Sequence, residues 1–515
     1  MNLLMKKAKD IKLKVRPVAI GVEHQYYYEG PCRFGEGESL QPGFDAFANA
    51  QKRSLLEEQL KKFLPEDRFD VLDCVSLGHT DDWKYNNDDW KVVETNMETT
   101  DVYVMASCLG ADDIALEFYE RYRKPMIIPP DCYYAGTVIS AAVKARYADA
   151  EVYCPDEWDG FAEALEVMRA KKVLQNLTIL CAVRFNSVTS MSSVDTLMDH
   201  DAITRKIGCH FRYCNIHELM DQMELPTPEG NHCTPGRVTP NVTQEDLEKI
   251  GAMADNMIAG AEYTDISREY LINSLKAFVA VRKVMEDKDC NAFSAPCPDS
   301  CSTRRLNEQK FTFCMTHSLN MEEGIPSACE YDINAALTQQ ALIAVSGMNP
   351  YMGNTMPLIY KDGYFEPRFM LDPDETAGLE AEPDNLYFTA HAVPNRRMKN
   401  PDHQESYAVQ HFAHDQKFGA VLRYKFADDA GQEITIARFS PDCSKLLIAK
   451  GTVVGGGGYH RDHCNTAIIY RVSDRKEMWK KQSLVGNHLC LVYGDHTSRL
   501  KALAEAMGIE PLMVV

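Results

Sequence analysis

The stretch Gly324-Ile325-Pro326-Ser327-Ala328-Cys329-Glu330-Tyr331-Asp332-Ile333-Asn334-Ala335-Ala336-Leu337 decides how this chain is read. A short apolar run ends in a carboxylate, and a helical pattern follows without a spacer. That order places Glu330 at the mouth of a strand, beside the N-terminus of a helix over residues 333–345. Open α/β sheets bind ligands outside the carboxyl ends of their strands.

Upstream, strand and helix signals alternate. Residues 18–22, 69–75, 101–105 and 125–130 are β-like, and 45–63 and 111–122 are helical. Such alternation implies βαβ units and a parallel sheet. A second series starts at 177–183, passes through helical patterns over 245–261 and 267–285, and closes with the quoted stretch. After Pro350 the character changes. Short β-rich runs at 420–424, 433–437, 445–448, 467–470 and 488–492 are separated by Gly- or Asp-bearing turns, and a helix over 498–507 ends the chain. This is the pattern of an antiparallel sheet or small barrel. The expected fold is α/β: two Rossmann-like α/β domains, 1–174 and 175–355, followed by a C-terminal antiparallel β-rich, barrel-like domain, 356–515. Residues 372–383 read as an exposed loop and the run Gly455–Gly458 as a flexible one.

Size and composition fit this division. A chain of 515 residues suggests roughly three domains at about 150 residues each. The net charge of −20 argues against nucleic acid or an anionic membrane as the main partner, since both need basic patches. No apolar run approaches a membrane span and the N-terminus lacks a signal-like core, so a cytoplasmic protein is expected. The 17 cysteines are odd in number in a long chain and read as thiols.

Four places can carry chemistry: Glu330 with Asp332, Gly353-Asn354-Thr355, His391, and Asn487-His488. Carboxylate and imidazole ligands scattered along a chain suit a divalent metal held by several loops, with Mn, Fe, Co or Zn favoured over Ca. Each residue also has a plainer reading. Glu330 and Asp332 suit the first turn of a helix. Asn354 suits a turn, His391 a core position, and His488 the start of a strand. His460-x-x-His463-Cys464 is half of a zinc pattern without its partner pair. Cys297, Cys301, Cys314 and Cys329 read as structural thiols, and Trp83 and Trp90 as sugar-stacking candidates.

The motifs Gly324-Ile325-Pro326-x-Ala328-Cys329-Glu330-x-Asp332, His391-x-x-Pro394, Thr435-Ile436-Ala437-Arg438, Lys450-Gly451 and Asn487-His488 to Gly494-Asp495 resemble the L-fucose/L-arabinose isomerase superfamily, most closely its L-fucose isomerase-like members. The resemblance covers roughly residues 290–515. It implies a metal-dependent aldose–ketose isomerase acting on a free sugar through an enediol, most commonly with Mn²⁺, as a homo-oligomeric trimer or hexamer. It implies Glu330 as ligand and acid/base, and His488 and His391 as ligands. Beside these, Asp332, a metal-bound water or a residue of a neighbouring subunit is open as the second proton-transfer group, and Arg438 and Asn487 are substrate-binding candidates. Arg438 has an alternative partner in Glu433. The chain departs from the family at Asn354, which stands 24 residues after Glu330, where a second acidic ligand is expected. An amide oxygen can ligate a metal but cannot shuttle a proton at neutral pH. Asn354 therefore keeps open an epimerase or lyase on the same site, or a sugar-binding protein without turnover.

Overall fold

A computed structural model describes residues 6–28, 35–80, 84, 87–107, 111–183, 199–226, 239–297, 304–368 and 371–515. The chain forms two compact units, Lys9–Arg169 and Ala170–Val515, and residues 6–8 join the second. No helix among the described residues is long and apolar enough to cross a membrane.

The first unit is a Rossmann-like parallel sheet. Strand β1 (Leu13–Glu23) pairs along one edge with both β2 (Phe69–Val71) and β3 (Val75–Thr80). Along its other edge lies β4 (Val102–Ala106), followed by β5 (Met126–Ile127) and β6 (Val152–Tyr153). The single run expected over 69–75 is thus two short strands sharing one edge of β1. Every residue of β4 is buried, which is why its sequence is an unbroken apolar run rather than an alternating one. Trp90 belongs to this core at 4% exposure, with the Arg121 guanidinium over its ring, so it offers no face to a sugar. Trp83 and Cys301 lie outside the described residues.

In the second unit, β7 (Thr178–Val183) and β8 (His210–Asn215) begin a second parallel sheet. Strand β9 (Thr264–Asp265) leaves it to pair elsewhere, while β10 (Ala292–Ser294) and β11 (Ser327–Ala328) extend it in the order β8-β7-β10-β11. Next come β12 (Tyr351–Pro357), the hairpin β13 (Ile359–Lys361) and β14 (Tyr364–Glu366), and β15 (Leu386–His391). The strands β16 (Ala408–His411) and β17 (Ala420–Arg423) form a small sheet with β9. The last five are β18 (Glu433–Phe439), β19 (Lys445–Gly457), β20 (Thr466–Val472), β21 (His488–Tyr493) and β22 (Glu510–Val514).

Six of these close an antiparallel barrel, β18-β21-β12-β15-β20-β19, through the β18–β19 pairing, and β22 adds in parallel to β19. Alternation sorts the side chains: Ile434 and Ile436, Leu447 and Ala449, Ile468 and Tyr470, and Leu489 and Leu491 share one core. The intervening residues Phe388, Ala390, Ala467 and Ile469 pack into another. A period of two is what a strand imposes on its two faces. The helix Ile333–Ser346 packs on β18 and β21 and on β10 and β11, and all its residues except Ser346 are buried. Its near-uniform apolar sequence follows from being covered all round. Two of its polar side chains bond to neighbouring elements. Asn334 donates to Ser440 O (2.7 Å) and Gln339 accepts from the Ser327 amide (2.8 Å).

Three sequence expectations change here. Asn354 lies inside β12, not in a turn, so the antiparallel sheet starts before residue 356. Gly455–Gly457 belong to β19 and pair with Ile469, Ile468 and Ala467. Gly456 must be a glycine, because a Cβ there would stand 2.6 Å from Ala427 N and Phe426 Cβ. The chain does not end on a helix, since β22 follows it.

Gly353 shows the same close approach beside the candidate site. A Cβ there would lie 2.7 Å from Ala390 O and 3.1 Å from His391 Cβ. Both neighbours are fixed by strand pairing, so Gly353→Ala is expected to destabilise the protein by about 1–3 kcal/mol through overpacking. A lowered denaturant midpoint checks this; an unchanged midpoint would mean that β12 and β15 can part freely.

Candidate functional site

The quoted stretch leaves β11 at Ala328 and turns sharply. Glu330 and Tyr331 have φ of +60° and +57°. Two successive non-glycine residues in the left-handed region cost about 1–2 kcal/mol each, and such strain concentrates at functional sites. The turn is held by the Tyr331 amide donating to Ala295 O (2.9 Å) and the Ile333 amide donating to Tyr331 O (3.1 Å). Asp332 then caps the helix, its Oδ1 accepting from the Ala335 amide at 2.9 Å.

The barrel delivers two imidazoles to this turn. His391 ends β15 and His488 begins β21. Glu330 meets one with each carboxylate oxygen: Oε1 lies 3.4 Å from His391 Nε2, and Oε2 lies 3.6 Å from His488 Nε2. Both histidines are fully buried, while the Glu330 side chain keeps 15% exposure. Glu330 is therefore the member of this trio that faces outward. Tyr351 fixes the end of β15, its hydroxyl accepting from the His391 amide and donating to Thr466 O, each at 2.6 Å.

Behind His488 stands Asp332. Its Oδ2 lies 3.1 Å from His488 Nδ1. With Nδ1–H donating to the carboxylate, the Nε2 lone pair faces Glu330. A carboxylate behind an imidazole is the usual way a metal-binding histidine is oriented. Arg438 holds Asp332 from the far side with two contacts, 2.8 Å to Oδ2 and 3.2 Å to Oδ1, and all of these side chains are fully buried. Burial pushes the Asp332 carboxyl up, but the Arg438 guanidinium and the His488 imidazole outweigh it and hold it at about 2. Arg438 also donates to Val485 O and His488 O. Its alternative partner Glu433 pairs instead with Lys450 at 2.7 Å.

Asn354 sits directly across the ladder from His488. Its Oδ1 accepts from Asn487 Nδ2 at 2.6 Å, and Asn487 Oδ1 accepts from the Thr355 amide at 3.1 Å. The two amides thus tie β12 to the start of β21.

Does this donor set fit a divalent cation? Neither ring nitrogen of the fully buried His391 has a hydrogen-bond partner among the described residues. Its Nε2 has only the Glu330 carboxylate at 3.4 Å, and an under-satisfied buried imidazole costs about 1–3 kcal/mol. Two N/O donors on one tetrahedral ion stand about 3.3 Å apart, close to the two Glu330–histidine separations. Oxygen and nitrogen donors from a carboxylate and two imidazoles suit Mn, Fe, Co or Zn. The residues fit.

Two neighbours escape a reading by motif. Cys329 lies with Glu330 and His391 so that one donor atom of each falls within 4.8 Å of the others. His317, on the helix Cys314–Glu322, is fully buried, accepts or donates at Nδ1 with Ser327 Oγ (2.9 Å), and has no hydrogen-bond partner for Nε2 among the described residues. Burial, with the His391 imidazole next, holds its pKa down at about 3, so it is neutral at physiological pH. No sequence spacing marks His317; only the packing of its helix against β11 brings it to Ser327.

No protein-family model matches this chain. No curated protein matches it.

Proposed function

We propose that the chain is a metal-dependent aldose–ketose isomerase, acting through an enediol on a free monosaccharide or sugar derivative. The observation that carries the reading is Glu330. It is a carboxylate on a strained turn at the carboxyl end of a strand, facing two buried imidazoles, one of them oriented by a buried carboxylate. In this reading Glu330, His391 and His488 hold a divalent cation, with Asn354 beside them. The resemblance in sequence implies Mn²⁺ and a trimer or hexamer. The cation would act as a Lewis acid toward the charge that develops on the two sugar oxygens.

Glu330 is the group that moves protons. It is outward-facing, so it can reach the hydrogen on the carbon next to the sugar carbonyl, remove it, and return it to the neighbouring carbon. Asp332 and Arg438 become positioning groups in this account, not an acid/base and a substrate contact. A carboxyl held at about 2 stays ionised at neutral pH, and the guanidinium is fully buried against it. Their work is to keep His488 turned toward Glu330. Asn487 positions the Asn354 amide.

The test is a panel of aldoses, uronic acids and substituted sugars offered to the Mn²⁺-loaded protein, with the products analysed. A ketose of unchanged mass from at least one sugar is expected. A product epimeric at carbon or a fragmented sugar would instead favour an epimerase or lyase, the reading that Asn354 supports by withholding a second acid.

A further inference from the structure

The site contains a donor that the isomerase reading does not use. Cys329 precedes Glu330, is fully buried, and brings its Sγ within 4.8 Å of donor atoms of both Glu330 and His391. Among the described residues these three are the group of His, Cys, Asp and Glu side chains close enough together to hold an ion. His391 supplies a second, independent observation, because both of its buried ring nitrogens lack hydrogen-bond partners among the described residues. Cys297 and Cys329 are joined by a hydrogen bond.

We propose that Cys329 is a ligand of the same cation, so that the centre is a mixed sulfur, nitrogen and oxygen site. The inference rests on the metal-centre reading and narrows it. Cys329 enters as thiolate, its proton leaving to solvent as the metal–sulfur bond forms. A thiolate is a soft ligand. It shifts preference from Mn²⁺, which carboxylates and water suit, toward Fe²⁺, Co²⁺ or Zn²⁺. The sequence resemblance implies manganese; the donor set with Cys329 implies a softer ion. The left-handed backbone at Glu330 departs from a continuing strand, in which adjacent side chains would point to opposite faces.

Cobalt reports the ligand directly. The full-length protein, freed of metal and reloaded with Co²⁺, is expected to show a thiolate-to-cobalt charge-transfer band in the near ultraviolet. Cys329→Ser should remove that band and lower Zn²⁺ affinity by at least about tenfold, the lower end of what supporting residues alone contribute. Cys297→Ser should keep the band. Because Cys329→Ser is a core substitution, zinc-edge X-ray absorption on the unsubstituted protein provides a second readout, where a sulfur in the first shell is expected. Cobalt or zinc bound with no sulfur signature would overturn the role of Cys329 and leave the rest of the centre standing. A band that survives Cys329→Ser would do the same. Failure of the protein to bind either ion would overturn the centre itself, and this inference with it.

Discussion

Glu330→Gln is expected to reduce ketose formation by at least about 10³-fold, within the range that a lost proton-transfer group removes. The substitution changes little else. Glutamine has the same length, and its amide oxygen can still ligate a cation, so metal content should fall much less than turnover. The left-handed turn is set by the backbone bonds of Tyr331 and Ile333, not by the carboxylate, so the fold should persist. The comparison to make is the rate of product formation against bound metal, in the same preparations. Loss of rate with metal retained identifies Glu330 as the acid/base. Equal loss of both would reduce it to a ligand, and an undiminished rate would remove it from the chemistry.

Arg438→Met should carry the largest stability effect. Arg438 and Asp332 are both fully buried and joined by two contacts. Removing the guanidinium leaves the Asp332 carboxylate in the interior with, among the described residues, the Ala335 amide and His488 to engage it. Breaking a buried pair by removing one partner costs about 3–5 kcal/mol, because the remaining charge is uncompensated. Denaturant unfolding of the two proteins measures the difference. Combining Arg438→Met with Asp332→Asn should recover most of the loss. The amide keeps the helix cap, whose removal alone would cost about 0.5–2 kcal/mol, and no charge is left behind. That double variant also separates stability from function. It should fold, yet bind metal less well, because a neutral amide no longer orients His488 as a carboxylate does. A double variant no more stable than Arg438→Met alone would show that the pair is not coupled.

Much of this architecture was legible in the chain. The strand, carboxylate and helix order of 324–337 reads correctly because most of it agrees with its local structure: a short apolar run, an acid at the N-cap, then an unbroken helical sequence; the left-handed turn at Glu330 and Tyr331 is the exception. The strands from residue 420 onward announce themselves as short β-rich runs separated by Gly- or Asp-bearing turns. What stayed hidden depends on long-range pairing. Strand β12 contains Gly353, Asn354 and Pro357, residues that favour turns, and it is a strand because β15 and β21 flank it. The glycines of β19 look like a loop until Phe426 and Glu375 are seen against them. Barrel closure is a property of six strands together and of none singly.

The site divides in the same way. Glu330, His391 and His488 could be picked out by residue type, and the fold does bring the three together. The parts played by Asp332 and Arg438 could not be read from spacing. In sequence they are an acid in a first helical turn and a base in a strand, 106 positions apart. Only burial shows that each neutralises the other behind His488. Cys329 was the easiest to pass over, because neighbouring residues seldom share a site in extended chain. The left-handed backbone at Glu330 breaks that alternation between Cys329 and Glu330.

The most direct test of the account is metal content. The protein would be purified without chelator, dialysed against a mixture of Mn²⁺, Fe²⁺, Co²⁺ and Zn²⁺ under anaerobic conditions, and analysed for each element beside the double variant His391→Ala, His488→Ala. A stoichiometric divalent ion in the unsubstituted protein, absent from the double variant, is the predicted result. An unsubstituted protein that holds no ion, or a double variant that holds as much, would contradict the centre built around Glu330.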